Sequence, residues 1–264
     1  MKKRIFAVLL VVSIVVMSAL LSGCTNVTAF NLVKDAEAKT EALDGFDATM
    51  KMNIKAEAEG VNVEVPISAD IQISGIKSNS PVMRVAMSTQ IMDQKMDADM
   101  YIEGDTAYVD IMGSKYKAPM EEVGVDYADQ IDQIVIPLPE EVLKDVQIVE
   151  NADGSKSVSV VLNQDTFTEL YTDLSNSILK NTGLETTPDC TFTDIKVAIT
   201  VTEDGYIGAY KISYKINMSE EVDGETYTVV ADASAEVEFN NPGQTVTVTA
   251  PEGYQNYPSI DEAE

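Results

Sequence analysis

Phe46-Asp47-Ala48-Thr49-Met50-Lys51-Met52-Asn53-Ile54-Lys55-Ala56-Glu57-Ala58 alternates apolar and polar side chains without a fault. Period two puts one face on a core and the other in water, the mark of an antiparallel strand with one wet side. Gly60 interrupts, and Val61, Val63, Val65, Ile67, Ala69, Ile71 and Ile73 resume the pattern. Pro66 within that second run points to an edge position or a bulge, because proline cannot donate to a ladder.

Outward from this pair the same rhythm predicts strands over Val82–Ile91, Lys95–Glu103 and Thr106–Met112, the last two turned by Gly104-Asp105. A hairpin is predicted at 147–150 with 157–163. Three long strands follow, with Thr193, Tyr210 and Tyr227 opening their apolar parities, and Val246 and Val248 suggest a final short one. Helical spacing is confined to Phe30–Leu43 and Gln164–Lys180, the latter striped by Phe167, Leu170, Tyr171, Leu174 and Ile178. Two short helices are predicted at Asp126–Ile134 and Pro139–Asp145. Residues 251–264 read as a frayed acidic tail.

About ten strands at about 4.8 Å spacing make a sheet about 48 Å wide. Two helices of about 10 Å diameter cannot hide its apolar face. The predicted fold is therefore α+β: a large curled antiparallel sheet, a half-barrel, with helices packed on its concave face. A single domain is expected over 30–250, enclosing a cavity or a helix-filled core.

The chain starts Met1-Lys2-Lys3-Arg4, then runs uncharged from Ile5 to Leu21 and reaches Leu21-Ser22-Gly23-Cys24. A basic start, an apolar stretch and small residues make a secretory signal, expected over 1–23. An uncleaved membrane anchor is the plainer alternative for so long a run. Leu-Ser-Gly-Cys resembles the bacterial lipobox, which implies a diacylglyceryl group on Cys24 as the lipid attachment site. Two acyl chains anchor stably where one does not. Residues 24–29 would then be a short tether, holding the body close to the extracytoplasmic face of the bacterial cell membrane.

Lipobox, helix, long antiparallel strands, central helical segment and further strands together resemble the LolA/LppX-like lipoprotein superfamily. The hairpin Met100-Tyr101-Ile102-Glu103-Gly104-Asp105-Thr106-Ala107-Tyr108 is similar to one common among its small extracytoplasmic members. The resemblance covers most of residues 28–250. It implies binding or carriage of lipid or acyl chains between the concave sheet and the helices, without catalysis. It supplies no catalytic motif to carry over. Relatives often place an aromatic tryptophan near 113–117, where this chain has Tyr116.

Composition narrows the classes. With 18 Lys plus Arg against 44 Asp plus Glu, the formal charge of −26 argues against a nucleic-acid partner. Histidine is absent, which removes the commonest general base and zinc ligand. Cys190, the second of two cysteines, has no partner once Cys24 is lipidated and reads as a small apolar residue. Contiguous carboxylates such as Glu121-Glu122 and Glu140-Glu141 read as solvated helix starts. The turn Asn151-Ala152-Asp153-Gly154 has part of a calcium loop's pattern, but the chain places Val149 and Val160 where that loop needs acids. The residues therefore nominate no catalytic pair, no metal site and no cofactor.

The methionines cluster on apolar parities. Flexible thioethers suit a variable acyl chain, and equally suit gap-filling in an ordinary core. The candidate ligand cavity comprises Met50, Met52, Ile54, Met87, Met100, Phe167, Leu170, Leu174, Tyr214 and Val229. The expected partners are the membrane, through the anchor, and a lipid or acyl-chain ligand. The alternative is a cell-surface interaction or structural lipoprotein with a filled core and no small-molecule ligand.

Overall fold

The computed structural model describes residues 27–58, 61–78, 80–91, 94–120, 143–162, 164–165, 167, 189–222 and 225–260. Helix α1 (Val27–Glu41) is followed by β1 (Gly45–Ala58), β2 (Val61–Ser74), β3 (Val82–Ile91), β4 (Gln94–Glu103), β5 (Thr106–Ile111) and β6 (Ser114–Pro119). Then come β7 (Leu143–Glu150), β8 (Lys156–Leu162), β9 (Asp189–Val201), β10 (Ile207–Val222) and β11 (Glu225–Phe239). All eleven belong to one sheet, in the order β6-β5-β4-β3-β2-β1-β11-β10-β9-β8-β7. Two meanders thus meet at a central seam, where the first strand pairs with the last from Ala48↔Phe239 to Ala58↔Val229. Every pairing in the ladder is antiparallel, as the alternation requires.

The apolar parity of the sheet, its inner face, carries α1. The helix presents Ala29, Val33 and Ala36 at i, i+4 and i+7, all buried in one cluster with Met52, Ile54 and the apolar residues of β8–β11. Small side chains let the helix approach the sheet closely. Its C-terminal end is fastened by polar contacts. Ile207 N donates to Thr40 Oγ1 at 2.9 Å, Lys39 Nζ donates to Asp204 O, and the same ammonium lies 4.1 Å from the Tyr206 ring centre.

Four expectations are corrected. The segment expected as a helix at Pro139–Asp145 enters β7 at Leu143, where edge pairing with β8 begins. Val246 and Val248 join no strand, because β11 is already paired on both sides. Ser114–Pro119 pairs fully with β5, adding a strand to the expected set, through a turn in which Met112 (φ 54°) and Gly113 (φ 87°) are both left-handed. In β9 a bulge at Asp194 (φ 55°) shifts the register, so Phe192, rather than Thr193, shares the core face with Ile195. Pro66 lies just outside the β2·β3 ladder, which starts at Ile67, so it occupies a local edge. The expected helix Asp126–Ile134 and nearly all of Gln164–Lys180 lie outside the described residues.

The C-terminal segment is also not frayed over its described part. Residues 240–260 form a strap across the outer, polar face of β1–β6. Asn240 Nδ2 donates to Asp47 Oδ1 at 2.7 Å. Thr249 N donates to Gln72 Oε1 at 3.2 Å, and Arg84 Nη1 donates to Thr249 O at 3.0 Å. A short 3₁₀ turn (Tyr254–Asn256) then seats Tyr254 against Tyr101 and Tyr108, with ring centres 4.9 and 4.8 Å apart. Tyr254 OH donates to Glu103 Oε2 at 2.9 Å. Burial, then the neighbouring Glu103 charge, push the Tyr101 phenol up to about 12, so it stays neutral. Finally Lys117 N donates to Pro258 O at 2.8 Å, and a single parallel bridge, Lys117↔Ser259, covers the β6 edge. Gly243 starts the strap at φ 89°, and a Cβ there would stand 2.8 Å from the Tyr206 ring.

Candidate functional site

Register aligns the inner face of β1–β6 into rows. One row runs Ala48, Ile71, Val85, Met100, Val109, Tyr116. The next runs Met50, Ala69, Met87, Ala98, Ile111, Ser114. In the second row large residues stand on β1, β3 and β5, and alanines stand on β2 and β4 between them. The alanines floor shallow depressions whose walls are methionine and isoleucine side chains. Thr89 and Met96 continue the surface toward one end.

Exposure divides this face in two. Under α1 it is sealed: Met52 and Ile54 on β1, Tyr214 on β10 and Phe167 all belong to the buried cluster. Phe167 meets Phe192 edge-on at 5.2 Å, and Phe192 meets Tyr214 at 5.5 Å. Across β2–β5 the same face is mixed: Val65, Ala69, Ile102, Ala107 and Val109 are buried, whereas Met87 and Ile111 are 42% and 46% exposed. Met50 is buried at the boundary, Met100 is half-buried within the open half, and Val229 is half-buried near the far end of the seam. The cavity candidates among the described residues therefore do not form one wall. Met52, Ile54, Phe167 and Tyr214 pack as core; Met87 and Met100 line the accessible half. Leu170, Leu174 and Cys24 lie outside the described residues.

Ile111 and Met96 are members of this surface that lie outside the ten cavity candidates, although Met96 already falls among the methionines on an apolar parity. Parity alone could place them on the inner face, but only the register sets them beside Met87 and Met100.

The outer face has the opposite character. An open groove of about 470 Å³ is lined by Asp70, Asp97, Asp99 and Asp110 with Ser68 and Ser88, and also by Ala86, Met87, Ala98, Met112 and Gly113. Three of these carboxylates have cationic partners: Asp99 with Arg84 at 2.7 Å, Asp97 with Lys95 at 2.9 Å, and Asp110 with Lys115 at 3.5 Å. The Arg84–Asp99 pair is bidentate, its second bond running from Nε to Oδ1 at 3.0 Å. The Lys95 ammonium and Ser88 hold the Asp97 carboxyl below the usual range. Among the described residues no group of three or more His, Cys, Asp or Glu could hold a metal ion. The turn with part of a calcium loop's pattern is closed on itself, with Ser155 N and Oγ donating to Asp153 Oδ1 at 3.1 and 2.7 Å.

The chain is similar to several solved structures. LprF from Mycobacterium bovis has 12% identity and a TM-score of 0.43, covering 88% of this chain and 100% of that one. A DUF1329 family protein from Desulfovibrio piger has 11% identity and a TM-score of 0.23, covering 84% and 94%. A domain assigned as an outer membrane lipoprotein-sorting protein from Vibrio parahaemolyticus has 8% identity and a TM-score of 0.23, covering 86% and 95%. Likeness at this level transfers no ligand or role. No curated protein matches the chain. One family model does match, over residues 28–253, from within α1 through the sheet and into the strap, and by that match the chain belongs to a family of unknown function, DUF6612.

Proposed function

We propose that the protein is a non-enzymatic extracytoplasmic lipoprotein, anchored through Cys24, that binds an apolar or amphipathic ligand against the inner face of β2–β5. One observation carries the ligand reading. Met87 and Ile111 sit on the apolar parity of the sheet yet remain 42% and 46% exposed, while the neighbouring half of that face is sealed. An apolar surface held open beside a closed core is where burial of an acyl chain gains most, at about 0.8 kcal/mol per CH₂. The methionines adapt their shape to the chain they meet. The anchor places this surface close to lipid, and the negative body keeps the outer face clear of anionic headgroups.

The test is titration of residues 25–264 with a fluorescent fatty acid, in competition with a phospholipid. Saturable, one-to-one, competable binding is expected. Met87→Glu should weaken it about tenfold or more by setting a charge against the ligand, with the circular dichroism unchanged. A folded sample that binds nothing would overturn the proposal and leave an interaction or structural lipoprotein. The anchor is checked separately, by mass spectrometry of the membrane-bound protein. A diacylglyceryl mass on Cys24 is expected, and Cys24→Ser should lose it.

A further inference from the structure

The strap over residues 240–260 touches every strand of one meander on the face opposite the open apolar surface. We propose that it is a latch that holds β3–β6 in their curvature, and that ligand loading on the inner face and latch closure on the outer face are coupled. The second half of this proposal rests on the binding reading above; the first half does not.

Three contacts make the latch. On β3, the Arg84 fork grips Asp99 of β4 and spends its remaining Nη1 on Thr249 O of the strap. On β4 and β5, Tyr101 and Tyr108 stand directly opposite each other, and Tyr254 wedges edge-on against both rings. On β6, the strap occupies the edge at Lys117. Each contact ties one strand to its neighbour through the strap, so together they fix the twist between β3 and β6. α1 packs on β7, β9 and β10, in the other half of the sheet.

Coupling follows from the thinness of a sheet. Arg84 points outward between Met83 and Val85, which point inward on the same backbone. A change in strand twist that reshapes the Met87 surface also displaces Arg84 and Tyr101. Linkage then requires the effect to run both ways: a closed latch favours the ligand, and a bound ligand favours the latch.

Hydrogen exchange on residues 25–264, which keep every described residue, tests both halves. The double variant Tyr254→Ala/Tyr257→Ala removes both strap rings that meet Tyr108, with ring centres 4.8 and 6.3 Å from it, so exchange across 244–260 and β4–β6 should rise about tenfold. β8–β10 should keep wild-type rates. Arg84→Met is the second variant, should the first fail to fold. It should accelerate the same segments. Fast exchange in the strap with wild-type rates in β4–β6 would overturn the latch. Saturating wild-type protein with dansyl-undecanoic acid should slow exchange over 244–260 severalfold; binding without that slowing would overturn the coupling. Wild-type protein that binds no probe would refute the coupling and the ligand reading together, and the latch would still be judged by the variants without ligand.

Discussion

Phe192→Ala should destabilise the fold by about 3–5 kcal/mol, the cost of emptying a large buried aromatic site. Phe192 is 1% exposed and is the middle ring of the Phe167–Phe192–Tyr214 cluster. Its removal strands two edge-on partners besides leaving a cavity. Urea denaturation followed by circular dichroism should show the midpoint falling by about 1 M or more. The neighbouring Thr193→Ala should cost less than about 1 kcal/mol, because Thr193 pairs with exposed Lys215 on the outer parity. The contrast tests the bulge at Asp194 itself. Equal losses from the two substitutions would contradict the register in which Phe192 turns inward.

The second expected effect concerns acidity. Glu37 lies half-buried on α1, where Tyr210 OH donates to its Oε1 at 3.2 Å. Burial raises its pKa to about 7; the tyrosine bond opposes that shift, and the Glu41 charge one turn away adds to it. In the unfolded chain the carboxyl titrates at the ordinary 4.5. Between these values the folded protein keeps a proton that the unfolded chain has released. Stability from this group is therefore complete below pH 4.5 and is lost as pH rises through 7. Glu37→Gln keeps the neutral form at every pH. At pH 8 it should be more stable than the wild type by about 2 kcal/mol, after discounting for partial solvent access. At pH 4 the two should be nearly equal. Parallel denaturation curves at both pH values decide it: a variant whose difference from wild type does not grow between pH 4 and pH 8 would show that Glu37 is not the group responsible.

Much of this was legible in the alternation. Phe46 to Ala58 and Val61 to Ile73 specify their own faces, and a strand with one apolar face admits one pairing parity. The helix stripe at Val33, Ala36 and Thr40 was legible for the same reason. Three features were not. The Asp194 bulge adds one residue to a strand, and a reading by parity carries Thr193 inward past it. The short β6, Ser114-Lys115-Tyr116-Lys117-Ala118-Pro119, has a single large apolar side chain, so its pairing comes from the Met112-Gly113 turn rather than from periodicity. The strap reads as an acidic tail because its contacts are tertiary. Tyr254 and Tyr257 were the available signal, since two aromatics in a solvated tail have no reason to stay there. In the site, parity separated inner from outer residues, but parity does not tell a covered residue from an uncovered one on the same face. Met52 and Met87, alike in sequence, end in a sealed core and on an open surface.

The central seam carries a kinetic consequence. Met52 meets Ala235, and Ile54 meets Ala233, so the core beneath α1 draws on both ends of the chain. A meander such as β1–β6 can zip through neighbouring turns as it emerges. The seam cannot, and closing so long a loop costs about 3 kcal/mol more entropy than closing a hairpin of a few residues. Until β11 arrives, β1 presents an unpaired edge with alternating methionines along one side, a template for stray strands. The late residues of the chain thus decide both how quickly the molecule matures and how long it remains vulnerable on the way.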